Sequence, residues 1–252
     1  MQRVGTMQER LNRLGVAMIA DDEPGPGVTG AHQVQALRQV TIFANLDDAG
    51  LETLRSVASH RSYRRRELIT QPHADGGHCW VIVQGTARVY QLSSRGQEVT
   101  IERLGTGDIY GLVLLEQTVD WTSFLEATTD GTIVYRIPLS AIEKLCLSRP
   151  QFALSVLRLL SRRLTEARAG IEDFALHDTK ARLAHTLARL AADNDEHLVT
   201  ETHRELASLV GTRPEDVTRL LRQLREEDLV AYRPGHRALV ILDVDRLASY
   251  GS

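Results

Sequence analysis

Apolar positions along the chain change their period twice. Leu46, Leu51, Leu54 and Val57 fall at helical spacing behind Asp47 and Asp48, which are start signals for a helix. From about Tyr63 to Ile137 the runs become short and β-rich, and glycine turns end them. Trp80–Gln84 stops at Gly85, Ala87–Leu92 at Ser93–Gly96, and Val99–Leu104 at Gly105–Gly107, while Ile133–Ile137 follows Gly131. Many short strands at roughly ten-residue spacing point to a sandwich or barrel rather than to βαβ units. After Pro150 the helical period returns. Phe152, Val156, Leu160, Leu164, Ala167, Ile171 and Phe174 make one long apolar stripe. Arg158, Arg162, Glu166 and Glu172 lie off it, and Arg162 and Glu166 can pair at i,i+4. Such a stripe needs a partner: the flank of the β domain over part of its length, and the same helix of a second chain over another part. A further helix over about Lys180–Ala192 follows the capping residue Asp178. The first forty residues read as peripheral, with a short helix over Met7–Ala20 ended by Glu23-Pro-Gly-Pro-Gly27.

The last fifty-five residues carry the most specific pattern. Thr202-His-Arg-Glu205 is a capping box before Leu206, Ala207, Leu209 and Val210. Gly211 supplies a turn. Thr212-Arg-Pro-Glu215 reads as a second capping box, with Pro214 in the first turn, where its missing N–H costs little. The next helix gathers Val217, Leu220, Leu221 and Leu224 on one face and Glu215, Thr218, Arg219 and Arg222 on the other. Two short helices around a glycine, the second with an outward polar face, make a helix-turn-helix. The bland alternative is a helical hairpin with a solvated face. After Leu229, a hairpin with Pro234-Gly235 at its tip carries Arg233, His236 and Arg237, which suits a wing on phosphates.

Composition changes this picture only locally. The 252-residue chain has a formal net charge of −3, which argues against a surface coated for indiscriminate nucleic-acid binding. Between Thr202 and Arg225, however, Arg204, Arg213, Arg219, Arg222 and Arg225 face only Glu205, Glu215 and Asp216. No apolar run approaches the ~20 residues of a membrane span, and Asp21–Glu23 follow Leu14–Ala20 too soon for a signal peptide. Two cysteines, Cys79 and Cys146, make no disulfide framework and fit a reducing cytoplasm. Nothing resembles a phosphate loop, an HExxH zinc motif or a nucleophile elbow, so no enzyme class is expected.

The chain resembles the CRP/FNR family of bacterial transcription regulators over about Ile42–Leu247. The likeness lies in Gly85-Thr-Ala-Arg-Val-Tyr90, Leu104-Gly-Thr-Gly-Asp108, Leu160-Ser-Arg-Arg-Leu164, Asp178-Thr-Lys-Ala-Arg-Leu-Ala184 and, above all, Thr202–Arg222. It implies an α+β chain: an N-terminal extension (1–38), a β-roll, cyclic-nucleotide-binding-like effector domain (39–149), a dimerisation helix (150–177) and a winged helix-turn-helix domain (178–252). It also implies a homodimer on a two-fold symmetric operator, with RNA polymerase as protein partner. By the same resemblance Glu215 and Arg219 match base-reading positions. An Arg suits the O6/N7 edge of guanine and a Glu the N4 donor of cytosine, at ~1–3 kcal/mol of discrimination each. Thr218 is placed to touch a thymine methyl. Thr202, His203 and Arg204 match backbone-contacting positions, and Arg213, Arg222, Arg233 and Arg237 add phosphate contacts. Pro214 departs from the family's additional base-reading Arg, so the flanking bases read should differ.

The effector pocket departs further. Gly111 is kept, but Leu112 stands where nucleotide-binding members carry a ribose-binding Glu, and Trp121 where they carry a phosphate-binding Arg. Thr122 keeps a hydroxyl, while Ala167 and Arg168 align with an adenine-contacting Thr-Ser pair. Losing half of a buried charge pair costs ~2–5 kcal/mol, and an unpaired ribose hydroxyl ~1–3 kcal/mol more. Tight cyclic-AMP binding is therefore not expected, although Arg168 offers an anion a cation from the helix. Iron–sulfur is not expected, because the first forty residues hold no Cys, nor is haem, whose ligating His aligns with Val113. His73, His78 and Cys79 read as a solvated turn, so no metal site is assigned. Cys146, before Ser148-Arg149, is a candidate redox thiol if nearby cations lower its pKa, with Cys79 as a second. The alternative function is a cyclic-nucleotide- or redox-responsive module whose helix-turn-helix serves mainly protein contacts.

Overall fold

The computed structural model describes residues 30–72, 77–93, 96–115, 122–192, 196–233 and 238–251. Contacts divide the chain into two units. The first comprises residues up to Gln91 together with Ile101–Leu160; the second comprises Leu92–Thr100 together with Ser161–Ser252.

The first unit begins with α1 (Gly30–Arg38) and α2 (Asp48–Val57). Asp47 caps α2 by accepting from the Gly50 amide at 2.9 Å, and Arg149 donates to the same carboxylate at 3.0 Å. That guanidinium holds the Asp47 carboxyl below its ordinary range. Eight strands follow, the start of β5 being counted with the second unit: β1 (Ser59–Tyr63), β2 (Leu68–Thr70), β3 (His78–Gln84), β4 (Ala87–Leu92), β5 (Glu98–Leu104), β6 (Ile109–Tyr110), β7 (Phe124–Ala127) and β8 (Thr132–Pro138). They form two four-stranded sheets, ordered β1-β8-β3-β6 and β2-β7-β4-β5. Paired strands such as β3 and β8, with Val81 opposite Tyr135, run antiparallel. Alternation is lost in the middle of β3, where Cys79, Trp80, Val81 and Ile82 are all buried. α3 (Leu139–Ser148) and the start of α4 (Pro150–Leu176) close the core with Ile142, Leu145, Phe152 and Val156.

Some expectations are corrected here. Within the first forty residues, read as peripheral, Leu37 and Val40 join the core, as does Phe43 just beyond them, each no more than 1% exposed. The break at Glu23–Gly27 lies well before this segment, and the turn after α1 interrupts any clean period. The expected helix over Met7–Ala20 lies outside the described residues. Val57 ends its helix exposed rather than buried. β1 is polar along most of its length, so it carries no apolar alternation.

The second unit holds the end of α4, then α5 (Thr179–Ala192), β9 (Leu198–Val199), α6 (His203–Val210), α7 (Pro214–Glu226), β10 (Val230–Tyr232), β11 (Leu239–Ile241) and α8 (Val244–Ala248). Asp178 caps α5, accepting from the Ala181 amide at 2.9 Å. The three strands pair antiparallel in the order β10-β11-β9. Leu183, Leu187, Leu206, Val217, Leu221, Leu229 and Leu247 fill a separate core. On α4, Leu157, Leu160, Leu164, Ile171 and Phe174 stay exposed, between 39% and 68%.

Candidate nucleic-acid interface

The helix-turn-helix is assembled by short-range chemistry. Glu205 N donates to Thr202 Oγ1 at 3.2 Å, and Thr202 N donates to Glu205 Oε2 at 2.7 Å, completing the capping box. Gly211 ends α6 in the left-handed region, φ 72°, where a Cβ would be strained. The expected second box, Thr212 with Glu215, does not form. Pro214 occupies the first helical position, so the N-cap falls on Arg213, which makes no side-chain cap bond. Glu215 and Asp216 in the first turn instead complement the helix dipole.

Burial fixes the outward face of α7. Val217, Leu220, Leu221 and Leu224 are at most 4% exposed, whereas Glu215, Thr218, Arg219 and Arg222 face solvent. The structure thus brings the three expected base-reading residues, Glu215, Thr218 and Arg219, onto one exposed helical surface. His203 joins them from α6, with Nδ1 2.8 Å from Thr218 Oγ1 and Nε2 3.4 Å from the Tyr232 hydroxyl. Thr218 also lies 3.0 Å from the Pro214 carbonyl, to which its hydroxyl donates. His203 Nδ1–H then donates to Thr218, and Nε2 accepts from Tyr232. Tyr232 was not among the residues singled out in the sequence; no local motif marks it.

Among the described residues, the expected phosphate-contacting arginines each have an acid within 4.0 Å. Asp216 takes Arg213 at 3.1 Å and Arg219 at 3.5 Å, and the Arg213 guanidinium keeps its carboxyl below the usual range. Arg222 stands 3.8 Å from Glu226, and Arg233 3.0 Å from Glu196. Arg204 meets Glu98 at 2.7 Å; Glu98 lies in the Leu92–Thr100 segment of the same unit. One helical turn along α6, Ser208 and Thr100 share a hydrogen bond of 2.8 Å. Exposed pairs of this kind are worth ~0–1 kcal/mol, so a phosphate can displace the acid. Thr202 is exposed at the start of α6. Arg237 and the hairpin tip lie outside the described residues.

The expected effector residues fall in both units, and each part is described by itself. In the first, Gly111 has φ 98°, and a Cβ there would stand 3.1 Å from the His78 carbonyl and the Trp80 ring. Leu112 is 3% exposed and belongs to the apolar core, so this position offers a ligand no polar atom from its side chain. Thr122 accepts from Gln91 Nε2 at 2.9 Å. Trp121 lies outside the described residues. In the second unit, Ala167 and Arg168 are exposed on α4.

The thiols run against the redox expectation. Burial pushes Cys79 up to about 12, and its Sγ lies 3.5 Å from the Ile137 carbonyl. Cys146 is also raised, by burial and by Glu143, while the neighbouring Arg149 is turned to Asp47 and Ser148. A cation adjacent in sequence is thus turned to Asp47 and Ser148 rather than left to lower the thiol. Among the described residues no helix is long and apolar enough to cross a membrane.

Comparison with known proteins agrees with this geometry. A model of the cyclic nucleotide-binding domain matches residues 60–149, and one of the Crp-like helix-turn-helix domain matches residues 181–250. The chain is 28% identical over 202 residues to "Probable transcriptional regulator flp" of Lacticaseibacillus casei, covering 79% of this chain and 90% of that protein. It is 28% identical over 196 residues to the cyclic AMP receptor protein of Thermus thermophilus, covering 77% and 89%. A solved structure of the c-di-GMP responsive global regulator CLP of Xanthomonas campestris superposes with a TM-score of 0.69 at 20% identity, covering 78% of this chain and all of that one, a likeness of fold. With a cyclic-nucleotide-binding domain, a long helix and a helix-turn-helix in that order, the chain belongs to the CRP/FNR family of DNA-binding transcription regulators.

Proposed function

We propose that the protein binds a two-fold symmetric operator as a homodimer, without the conventional dependence on cyclic AMP, and works in the cytoplasm with RNA polymerase as its protein partner. The observation that carries operator reading is the face of α7, where Glu215, Thr218 and Arg219 stand clear of a fully buried apolar side. Arg219 reads a guanine edge and Glu215 the opposed cytosine, with His203 steadying Thr218 between α6 and α7.

The dimer reading rests on α4. Leu157, Leu160, Leu164, Ala167, Ile171 and Phe174 are spaced three, four, three, four and three, the a/d repeat of a coiled coil. The larger members are exposed within one chain, and a second copy of the helix supplies the same seam. Leu112 supports independence from cyclic AMP, because it stands buried and apolar where related nucleotide binders carry a carboxylate.

In anisotropy titrations with a selected operator, Arg219→Ala should lose about tenfold or more in affinity, from ~1–3 kcal/mol of lost discrimination. It should also relax preference at one base pair of each half-site. Unchanged affinity and preference would move the helix-turn-helix to protein contacts. In the same titrations cyclic AMP should change wild-type affinity less than about threefold; a gain of a hundredfold contradicts effector independence. Glu98→Gln should strengthen binding about two- to fivefold by freeing Arg204 from an exposed ion pair of ~0.2–1 kcal/mol. No change would mean that Arg204 contacts no phosphate. Leu164→Glu should convert the dimer to monomer in sedimentation velocity, while a dimer that persists would place the interface elsewhere.

A further inference from the structure

Asp173, His177 and His185 stand together where α4 ends and α5 begins, all within the second unit. Asp173 and His177 are one helical turn apart, at i and i+4, so they share a face of α4. His185 reaches them from α5. Its Nδ1 lies 2.6 Å from Asp173 Oδ1, and His177 Nδ1 lies 3.2 Å from the same oxygen. One ligand atom from each residue lies within 4.8 Å of the others. The two rings meet edge to face, with centroids 4.8 Å apart. All three side chains are at least two-thirds buried.

His185 Nε2 is 3.0 Å from the Tyr250 carbonyl, which can only accept, so Nε2 carries a hydrogen. Its Nδ1 lies at hydrogen-bonding distance, 2.6 Å, from the Asp173 carboxylate. His177 Nδ1 is within reach of the same carboxylate but off the line that a hydrogen bond needs, and it is buried with no hydrogen-bond partner among the described residues. Two ring nitrogens and a carboxylate oxygen thus converge, and one of those nitrogens has no hydrogen-bond partner among the described residues. The frame around them is fixed. Tyr250 donates its hydroxyl to Glu227 at 2.8 Å, and Lys180 pairs with the same Glu227, which anchors the residue whose carbonyl orients His185.

We propose that Asp173, His177 and His185 bind a divalent metal ion of the zinc type. Two imidazoles and one carboxylate suit a borderline-soft cation, and a tetrahedral site leaves the fourth position to water. Bond lengths of about 2.0–2.1 Å put tetrahedral ligands about 3.3 Å apart, so the His177–Asp173 approach already fits and the His185 approach opens by several tenths of an ångström. The bond from Nε2–H to the Tyr250 carbonyl is the outer-shell contact that ligating histidines make. Bound metal would clamp the last turn of α4 to α5, and so fix the long helix against the helices that carry the DNA-binding face.

The test is calorimetric titration of zinc chloride into the chelator-stripped full chain, with thermal melting alongside. The wild type should take one equivalent per chain and melt higher with zinc. His177→Ala removes a ring whose Nδ1 has no hydrogen-bond partner among the described residues, and it should lose at least tenfold in affinity together with the thermal shift. His177→Gln, which nearly preserves volume, makes the same comparison should the alanine variant fold poorly. His78→Ala, in the first unit, should bind like the wild type. Absence of saturable binding in the wild type, or binding that survives both His177 substitutions, overturns the proposal.

Discussion

Withdrawal of Val217, Leu220, Leu221 and Leu224 from water is the constraint on which the rest of the C-terminal unit depends. These side chains can be buried only by seating α7 in the core with Leu183, Leu187 and Leu206. Each is worth about 1.5–3 kcal/mol when fully buried, far more than any exposed ion pair nearby. Once α7 is seated, the helical period leaves no freedom in what faces outward: Glu215, Thr218, Arg219 and Arg222. The reading surface is a consequence of the core.

The electrostatics then act at a lower energy scale. Each expected phosphate-binding arginine described on this surface has an acid within 4.0 Å in the free protein. Such pairs are weak enough to yield to a phosphate, yet they blunt the attraction of the basic face for DNA in general. With a formal net charge of −3, affinity then depends on geometry that only a matching site supplies.

What was legible in the sequence was local or periodic. The Thr202–Glu205 box and the α7 face depend on neighbours three or four residues apart, and both stand as read. The second box failed because Pro214 moved the cap to Arg213, a competition between two local rules that spacing alone does not rank. The burial of Leu37 and Val40, within the stretch read as peripheral, is set by sheets formed far along the chain. The surroundings of Cys146 could not be read from neighbours in sequence, because Arg149 is drawn to Asp47. The convergence of Asp173, His177 and His185 has no motif, since it arises where two helices meet.

The most direct measurement is selection from a randomised duplex pool by the full chain, followed by footprinting of the enriched sites. Two inverted half-sites, with centres about 10–10.5 base pairs apart and a shared G·C pair in each, are the predicted result. Failure to enrich any sequence, or enrichment of a single asymmetric site, would contradict a dimer that reads DNA through the outward face of α7.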